Sequence, residues 1–370
     1  MTNKPASVPQ LIERKLRHDV TSMHAYAVQD SRGLLKLDAM ENPHRLPAAL
    51  QQQLGQRLGA LALNRYPGDR IHDLRRALIA HARVPEGFDL MLGNGSDELI
   101  SLLALACDVP GATVMAPLPG FVMYKMSAQL QGLRFVGVDL REDFELDEAA
   151  MLQAMAEYQP SILYLAYPNN PTANLWDDAV IDRLIAAAPG LVVIDEAYQP
   201  FAGRSFIDRL GDHENVLLMR TMSKFGLAGV RIGYLVGRAP LIAEVDKVRP
   251  PYNISVLNAE CGLFALEHAD VFAEQARDIV AQRKWLIAQL SQLRGVRCFK
   301  SDANMLLVRL PDASPSADRA AALVFSGMRE RGVLVKDVSG MHPLLRNCLR
   351  LTVGTADENR AMLQALKECL

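Results

Sequence analysis

The chain has 370 residues, 50% of them hydrophobic, with 40 basic and 42 acidic side chains and a formal net charge of −2. This length predicts about two domains. The balanced charge gives no electrostatic reason to expect nucleic acid or an anionic membrane as a partner, so small molecules are the expected ligands. The five cysteines form no CxxC pair, and no segment reads as a signal peptide or membrane span, which favours a cytoplasmic location.

The first part of the chain, residues 1–40, shows no strong periodic pattern and is predicted to form an N-terminal arm. Between about residues 88 and 236, seven short runs rich in Val, Leu and Ile alternate with segments of helical length. Such runs are typical of strands buried on both faces of a mostly parallel sheet that is flanked by helices. We therefore predict an α/β fold whose large domain, residues 41–257, holds a mostly parallel seven-stranded sheet.

The pattern changes after RPPYNIS at 249, because residues 258–294 keep a helical period with charges on the opposite face. Short strands are predicted near 296–299, 304–310, 333–336 and 348–354, with helices near 317–331 and 357–368. This order predicts a smaller α+β C-terminal domain over residues 258–370.

Polar residues follow two of the predicted strands, and ligands of open parallel sheets bind beyond the carboxyl ends of the strands. LVVID ends in Asp195 and is followed by Tyr198, whereas Thr221, Ser223 and Lys224 follow VLLMR. Each has an ordinary interpretation, since the aspartate could cap a helix and the lysine could be a solvated side chain. Asp195 and Lys224 are 29 residues apart, about one strand–helix–strand unit, so they could face one crevice.

Three more strand ends carry candidate residues. LGNGSD places Gly95, Ser96 and Asp97 at the start of a helix, where free N–H groups suit a phosphate, although the motif is neither a dinucleotide fingerprint nor a P-loop. PNNPT places Asn170 after another strand, where an Asx turn is the ordinary interpretation. PLPGFVMY adds Tyr124, whose ring could simply be packed in the core.

Pyridoxal 5′-phosphate would use all of these side chains at once. It needs a lysine for its Schiff base, a carboxylate facing the pyridine nitrogen, a phosphate cup of amides, hydroxyls and an arginine, donors to the phenolic oxygen, and an aromatic face. The residues that fill these roles, in that order, are Lys224; Asp195; Gly95, Ser96, Asp97, Thr221, Ser223 and Arg231; Asn170 and Tyr198; and Tyr124.

The order and spacing of these motifs resemble the fold-type I, class II pyridoxal phosphate aminotransferases, and among them the histidinol-phosphate aminotransferases. The motifs that carry the resemblance are ENP at 41, RYPGD at 65, NGSDE at 94, PNNPT at 168, DEAY at 195, SKFGLAGVRIGY at 223, RPPYNIS at 249 and LRLTVGT at 349. The resemblance implies transamination of L-histidinol phosphate with 2-oxoglutarate, giving imidazole acetol phosphate and L-glutamate in histidine biosynthesis. Lys224, Asp195 and Tyr198 would be its catalytic residues.

The resemblance also implies a homodimer with active sites at the subunit interface. The N-terminal arm would then contribute to the small domain and to dimer contacts, and Tyr66 would reach the cofactor phosphate of the neighbouring subunit. The implied substrate-binding residues are Tyr26, Asn42, Asn170, Lys336 and Arg350. Without the resemblance, Arg350 would be interpreted as solvated, because it lies on the strand face opposite Leu349 and Leu351.

Three residues depart from the pattern of this family. Met40 replaces the first asparagine of N-E-N-P, Ala173 replaces the glycine after NPT, and Lys336 stands where an arginine is usual. A lysine supplies charge without the planar fork of an arginine. An aromatic amino acid aminotransferase is therefore the nearest alternative, and a phosphothreonine-type decarboxylase of the same fold is a further one. No metal is expected, since the histidines form no HExxH pattern.

Overall fold

The computed structural model describes residues 6–23, 29–311 and 320–370. Tyr26, one of the implied substrate-binding residues, lies outside the described residues. The chain divides into two compact units, Met1–Gly33 and Leu34–Leu370. The described part of the first unit holds the short helices α1 (Val8–Lys15) and α2 (His18–Thr21). Within the described residues, no helix combines the length and the apolar character that crossing a membrane requires.

The large sheet of the second unit confirms the predicted α/β architecture. Its strands are β2 (Phe88–Gly93), β3 (Thr113–Leu118), β4 (Arg134–Asp139), β5 (Ile162–Ala166), β6 (Leu191–Asp195), β7 (Val216–Thr221) and β8 (Gly233–Arg238). Their spatial order is β2-β8-β7-β6-β5-β3-β4. β8 is antiparallel to both of its neighbours and the other pairings are parallel. All seven predicted runs are therefore strands of one sheet.

The central strands are buried on both faces, as their continuous apolar runs predict. Leu163 and Leu165 of β5 belong to one hydrophobic cluster, whereas Ile162 and Tyr164 belong to the cluster on the other face. This alternation follows from the two-residue period of a strand. Because the parallel strands end at the same edge, the polar residues that follow them are brought together there.

The second unit contains α-helices both before and after the strands of the large sheet, as well as between them. In the described residues they are α3 (Ala48–Gly59), α4 (Asp69–Ala82), α5 (Ser96–Ala106), α6 (Val122–Leu130), α7 (Glu148–Tyr158), α8 (Asp178–Ala187), α9 (Gln199–Ala202), α10 (Ala239–Val245), α11 (Val256–Glu267), α12 (Ala269–Leu290), α13 (Ala320–Glu330) and α14 (Ala356–Cys369). The helical stretch predicted over 258–294 is thus two helices, which meet at His268.

A smaller antiparallel sheet follows. Its strands are β9 (Arg297–Cys298), β10 (Met305–Arg309), β12 (Lys336–Asp337) and β13 (Cys348–Thr352), in the order β12-β13-β10-β9. A separate parallel pair joins β1 (Leu35–Lys36), from the predicted arm, to β11 (Val333–Leu334). The register of β12 and β13 places Lys336 directly opposite Arg350. The predicted domain boundaries at residues 40 and 257 stay predictions.

Candidate active site

Asp195 ends β6 and is almost completely buried, with 4% of its surface exposed. Its Oδ2 accepts a hydrogen bond of 2.6 Å from the Tyr124 hydroxyl, and its Oδ1 accepts one of 3.0 Å from the Ala197 N–H. Burial raises the pKa of Asp195 to about 6, although both hydrogen bonds favour the charged form. A cation placed beside this carboxylate would therefore restore its full negative charge.

Lys224 lies in the turn directly after β7, at the same edge of the sheet. Its Nζ donates a 3.0 Å hydrogen bond to the Ala39 carbonyl and lies 5.9 Å from the centre of the Tyr198 ring. The side chain keeps some contact with solvent, but the surrounding protein lowers the pKa of its amine to about 8, and the nearby Arg350 adds to this effect. About a tenth of the amine is therefore neutral, and thus nucleophilic, at pH 7, far more than for an ordinary lysine.

Asn170 connects the two sheets at this site. Its Nδ2 donates to the Tyr198 hydroxyl at 3.0 Å, and its Oδ1 accepts from Arg350 Nη1 at 2.8 Å. Arg350 Nη2 donates to the Asp38 carbonyl at 2.7 Å. All three side chains are buried, and burial raises the pKa of Tyr198 above its ordinary value. The residue pattern alone predicted a solvated Arg350. The side chain is instead buried, because Asn170 and the segment around Asp38 cover its side of the strand.

The glycine turn before α5 allows the close approach of an arginine. Gly95 has a φ of 81°, and a Cβ added there would lie 2.5 Å from Arg231 Nη2. Only glycine fits this position without displacing the guanidinium. Ser96 and Asp97 begin α5 immediately afterwards, and the Asp97 carboxylate lies 3.4 Å from Arg231 Nη2.

Two hydroxyls complete this corner of the site. Arg231 Nη1 donates to Ser223 Oγ at 3.2 Å, and the hydroxyls of Ser223 and Thr221 are 3.0 Å apart. The Ser223 N–H also donates to Thr221 Oγ1 at 3.1 Å. Hydroxyls, a guanidinium and the first N–H groups of α5 thus meet at one place, which is the donor set that a phosphate requires.

Tyr124 is placed differently from its predicted role as an aromatic face for the cofactor. It is 2% exposed and stacks on Tyr164, with ring centroids 4.3 Å apart and an interplanar angle of 7°. No face of its ring is open, and its hydroxyl is engaged with Asp195. Phe121 is the partly exposed ring at this strand end, edge-on to Tyr124 at 5.6 Å. The correction is therefore that Tyr124 supports Asp195, while Phe121 is the aromatic residue that a ligand can reach.

The remaining predicted residues lie further from this cluster. Asn42 Nδ2 donates to Gln275 Oε1 at 3.0 Å and to the carbonyl of Phe225, the neighbour of Lys224, at 3.5 Å. Lys336 adjoins the cluster through its pairing with Arg350. Tyr66 is 76% exposed and stacks on Tyr252 at 4.2 Å, so within one chain it does not join the other candidates.

The segment before ENP is the part of the site that the sequence did not reveal. The carbonyls of Asp38 and Ala39 accept the hydrogen bonds of Arg350 and Lys224, and no side chain in the sequence indicates these contacts.

Two of the departures from the family pattern fall at unusual backbone conformations. Met40 and Ala173 have φ values of 52° and 68°, in the left-handed region that asparagine and glycine adopt with less strain.

Residues 32–366 match the family described as aminotransferase class I and II. The chain belongs to this family. It is 67% identical to the histidinol-phosphate aminotransferase of Polaromonas naphthalenivorans over the full length of both chains. It is 66% identical to that of Methylibium petroleiphilum, with 99% of this chain and 97% of the relative covered. The crystal structure of the Sinorhizobium meliloti histidinol-phosphate aminotransferase in complex with pyridoxal-5′-phosphate has the same fold, with a TM-score of 0.83 and 24% identity over 96% of this chain and 97% of that one.

Aminotransferases of this family depend on pyridoxal phosphate, and the residues of this chain fit that cofactor. Asp195 is a buried carboxylate that a cationic ring nitrogen would restore to its charged form. Lys224 is a lysine with a lowered pKa, at the end of the adjacent strand. Gly95 leaves space for a phosphate-binding arginine where any Cβ would intrude.

Proposed function

We propose that this aminotransferase acts on L-histidinol phosphate and 2-oxoglutarate, giving imidazole acetol phosphate and L-glutamate in histidine biosynthesis, in the cytoplasm. The observation that carries the proposal is the arrangement of the half-buried Lys224 beside the buried Asp195 and Arg350, combined with full-length relatives at 67% and 66% identity that carry this substrate in their names. The cluster offers an amine, a carboxylate and an anion-binding guanidinium, which are the groups that transamination of an anionic substrate requires.

The chain's own residues would hold the cofactor through four contacts. Lys224 would bind its aldehyde carbon, and Asp195 would face its ring nitrogen. The residues proposed to surround the phosphate are Gly95, Ser96, Asp97, Thr221, Ser223 and Arg231. Asn170 and Tyr198 would donate to its phenolic oxygen. When bound, the cofactor supplies an electron-accepting ring that stabilises negative charge on the substrate carbon that carries the amino group.

Lys224 is proposed to move the proton in this reaction. With a pKa lowered to about 8, its free amine can accept the proton from the substrate carbon and can then return it to a neighbouring atom. The Ala39 carbonyl, 3.0 Å from Nζ, orients the amine. Asp195, held by Tyr124 and the Ala197 N–H, would favour a protonated ring nitrogen in the bound cofactor, because its own negative charge would be paired there.

Arg350 is proposed to bind the anionic group of each substrate. A planar guanidinium binds carboxylate and phosphate alike, so one residue serves 2-oxoglutarate and the phosphorylated partner. Lys336, opposite Arg350 in the sheet, would add a second positive charge. Asn42 and Tyr26 are proposed to complete the substrate site.

We also propose that two chains form a homodimer, with Tyr66 reaching the neighbour's cofactor phosphate. Tyr66 and Tyr252 form a stacked pair that is 76% and 58% exposed. The nearby Leu63 is 64% exposed, and α3 carries no fully buried residue. Apolar surface of this kind is typical of an interface. Sedimentation analysis should give twice the chain mass, and Tyr66→Ala should weaken cofactor binding.

One observation favours an aromatic amino acid aminotransferase as the second candidate. Lys336 lacks the fork with which an arginine binds two phosphate oxygens. A relaxed phosphate site would then admit substrates that carry a carboxylate and an aromatic ring.

A single-turnover experiment distinguishes these candidates. The cofactor-loaded protein is mixed, without any keto acid, with L-histidinol phosphate, L-phenylalanine or L-threonine phosphate, and the visible absorbance of the bound cofactor is followed. We expect that absorbance to be lost at far lower concentrations of L-histidinol phosphate than of L-phenylalanine. The reverse order would establish the aromatic aminotransferase, and release of carbon dioxide from L-threonine phosphate would establish a decarboxylase.

A further inference from the structure

A groove of about 570 Å³ runs between α12 and the segment that contains α9. Among the residues that the structure describes, none of those assigned above to the cofactor or the substrates lines it. The lining residues that matter here are Pro200, Phe225, Phe272, Arg277, Arg283 and Lys284. A volume of this size suits a small organic ligand.

The floor of the groove is aromatic and apolar. Phe225 and Phe272 stack with ring centroids 4.6 Å apart at 25°. Ala276 and Val280 continue the surface along α12, because residues four positions apart lie on the same side of a helix. Pro200 of α9 lines the groove as well. The apolar part of a ligand, especially an aromatic ring, would be removed from water by packing against this surface.

The charged side chains of the groove all have the same sign. No Asp or Glu belongs to its described lining, which contains Arg277, Arg283 and Lys284. None of these three cations forms an ion pair within 4.0 Å with a described carboxylate. A cleft lined by one sign of charge concentrates ions of the opposite sign.

Arg283 is the decisive residue of this set. It is 8% exposed, and its Nη1 donates to the carbonyls of Phe201 and Ala303 at 3.3 and 2.8 Å. Its Nε and Nη2 make no hydrogen bond to any residue that the structure describes, although the side chain lines the groove. Among the described carboxylates, Asp302 is the one whose charge acts on Arg283, and it lies beyond ion-pair distance. Nε and Nη2 form the edge of a guanidinium that binds both oxygens of a carboxylate.

We propose that this groove is an accessory binding site for a small amphipathic carboxylate. The carboxylate bonds the Nε–Nη2 edge of Arg283, Arg277 and Lys284 add long-range attraction, and the apolar body lies on Phe225 and Phe272. Phe225 directly follows Lys224, and α9 begins one residue after Tyr198. A ligand here therefore touches the two segments that carry the proposed catalytic side chains without entering the active site.

The test is calorimetric titration of the cofactor-loaded protein with 4-phenylbutyrate, with 4-phenylbutan-1-ol as the neutral probe of similar shape. Ala273→Trp fills the groove from an exposed position, and Arg283→Lys keeps the charge but removes the fork. Each change, and the neutral probe, should weaken binding at least about 10-fold. Ala149→Trp, at an exposed position of α7, is the matched control and should leave binding unchanged.

Arg350→Gln separates this groove from the active site, and the groove affinity should survive it. Binding that disappears in Arg350→Gln but persists in Ala273→Trp would place the probe in the active site and overturn the proposal. If 4-phenylbutan-1-ol binds as tightly as 4-phenylbutyrate, the groove binds apolar groups only and the proposed carboxylate site is wrong. Absence of any binding below about 10 mM would also overturn the proposal.

Discussion

The two sides of the candidate active site are built differently. On the side of the large sheet, Asp195 ends β6, while Asn170 and Lys224 follow the neighbouring strands β5 and β7, and all three strands end at one edge. On the other side, Arg350 lies within β13 of the small sheet and is held by the Asp38 carbonyl, 312 residues away along the chain. The first side results from local periodicity and the second from long-range packing.

The two sides also differ in their electrostatics. Burial brings the pKa values of Asp195 and Lys224 towards neutrality, to about 6 and about 8. Both groups therefore exchange protons near physiological pH. Arg350 remains a permanent cation, with Lys336 beside it. One side of the site is thus suited to moving protons and the other to holding anions, and substitutions on the two sides should have effects of different kinds.

The largest effect should come from Lys224→Ala. Loss of the amine removes both the covalent attachment of the cofactor and the proton acceptor, so turnover should fall at least about 10⁴-fold. The visible absorbance of the bound cofactor should disappear at the same time. Lys300→Ala, at an exposed lysine elsewhere, is the control. A Lys224→Ala enzyme that turns over at the original rate would remove the basis of the proposed mechanism.

Arg350→Gln should have the next largest effect, on the anion-binding side. Removing a buried guanidinium from an anionic substrate costs about 3 to 4 kcal/mol, or about 10²- to 10³-fold in kcat/KM, for both substrates. Lys336→Gln should cost only about 10-fold, and only with the phosphorylated substrate. Steady-state kinetics with L-histidinol phosphate and with glutamate measures both. If Lys336→Gln affects the two substrates equally, Lys336 does not contact the phosphate.

The sequence predicts the large-sheet side well because its signals are local. Seven apolar runs of strand length identify the sheet, and the polar residues at the end of LVVID and after VLLMR identify Asp195 and Lys224 as candidates. The topology then requires these strand ends to be neighbours. Even here the aromatic residue was misplaced, since PLPGFVMY offers both Phe121 and Tyr124 and only burial distinguishes them.

The other side of the site depends on contacts that no local pattern encodes. A period of two shows that Arg350 opposes Leu349 and Leu351, but not that Asn170 and the Asp38 carbonyl cover it. Backbone carbonyls carry no sequence signal at all, so the contact of Lys224 with Ala39 could not be predicted. The resemblance to a known family supplied Arg350 where residue-by-residue reasoning gave a solvated side chain.

Asp195→Asn should change stability in the opposite direction to activity. In the cofactor-free protein the pKa of Asp195 is raised to about 6. The contribution of Asp195 to the free energy of unfolding is therefore fully present below about pH 4 and is lost as the pH rises through 6. A carboxamide does not ionise, so the variant should gain up to about 3 kcal/mol of unfolding free energy at pH 8 and nothing at pH 4. Urea unfolding at both pH values tests this, with the exposed Asp108→Asn as the control. Turnover should fall, because the ring nitrogen loses its anionic partner.

The smallest effect expected concerns the hydroxyl that supports Asp195. Tyr124→Phe removes the hydroxyl that donates to Asp195 Oδ2 at 2.6 Å. The charged carboxylate then loses about 1 to 2 kcal/mol of stabilisation relative to the neutral acid. The pKa of Asp195 should rise further, the acid limb of the pH–rate profile should move to higher pH, and cofactor affinity should fall about 10-fold.

Tyr164→Phe is the matched control for this change. The Tyr164 ring stacks on that of Tyr124, but its buried hydroxyl makes no hydrogen bond to any described residue. Removing that hydroxyl should leave the pH profile and the cofactor affinity unchanged and should leave stability equal or higher. If both variants move the acid limb equally, the stacked pair acts only through packing. If Tyr124→Phe alone moves the acid limb, the Tyr124 hydroxyl controls the protonation of Asp195. The part of the site that exchanges protons then includes a residue in the core of the large sheet.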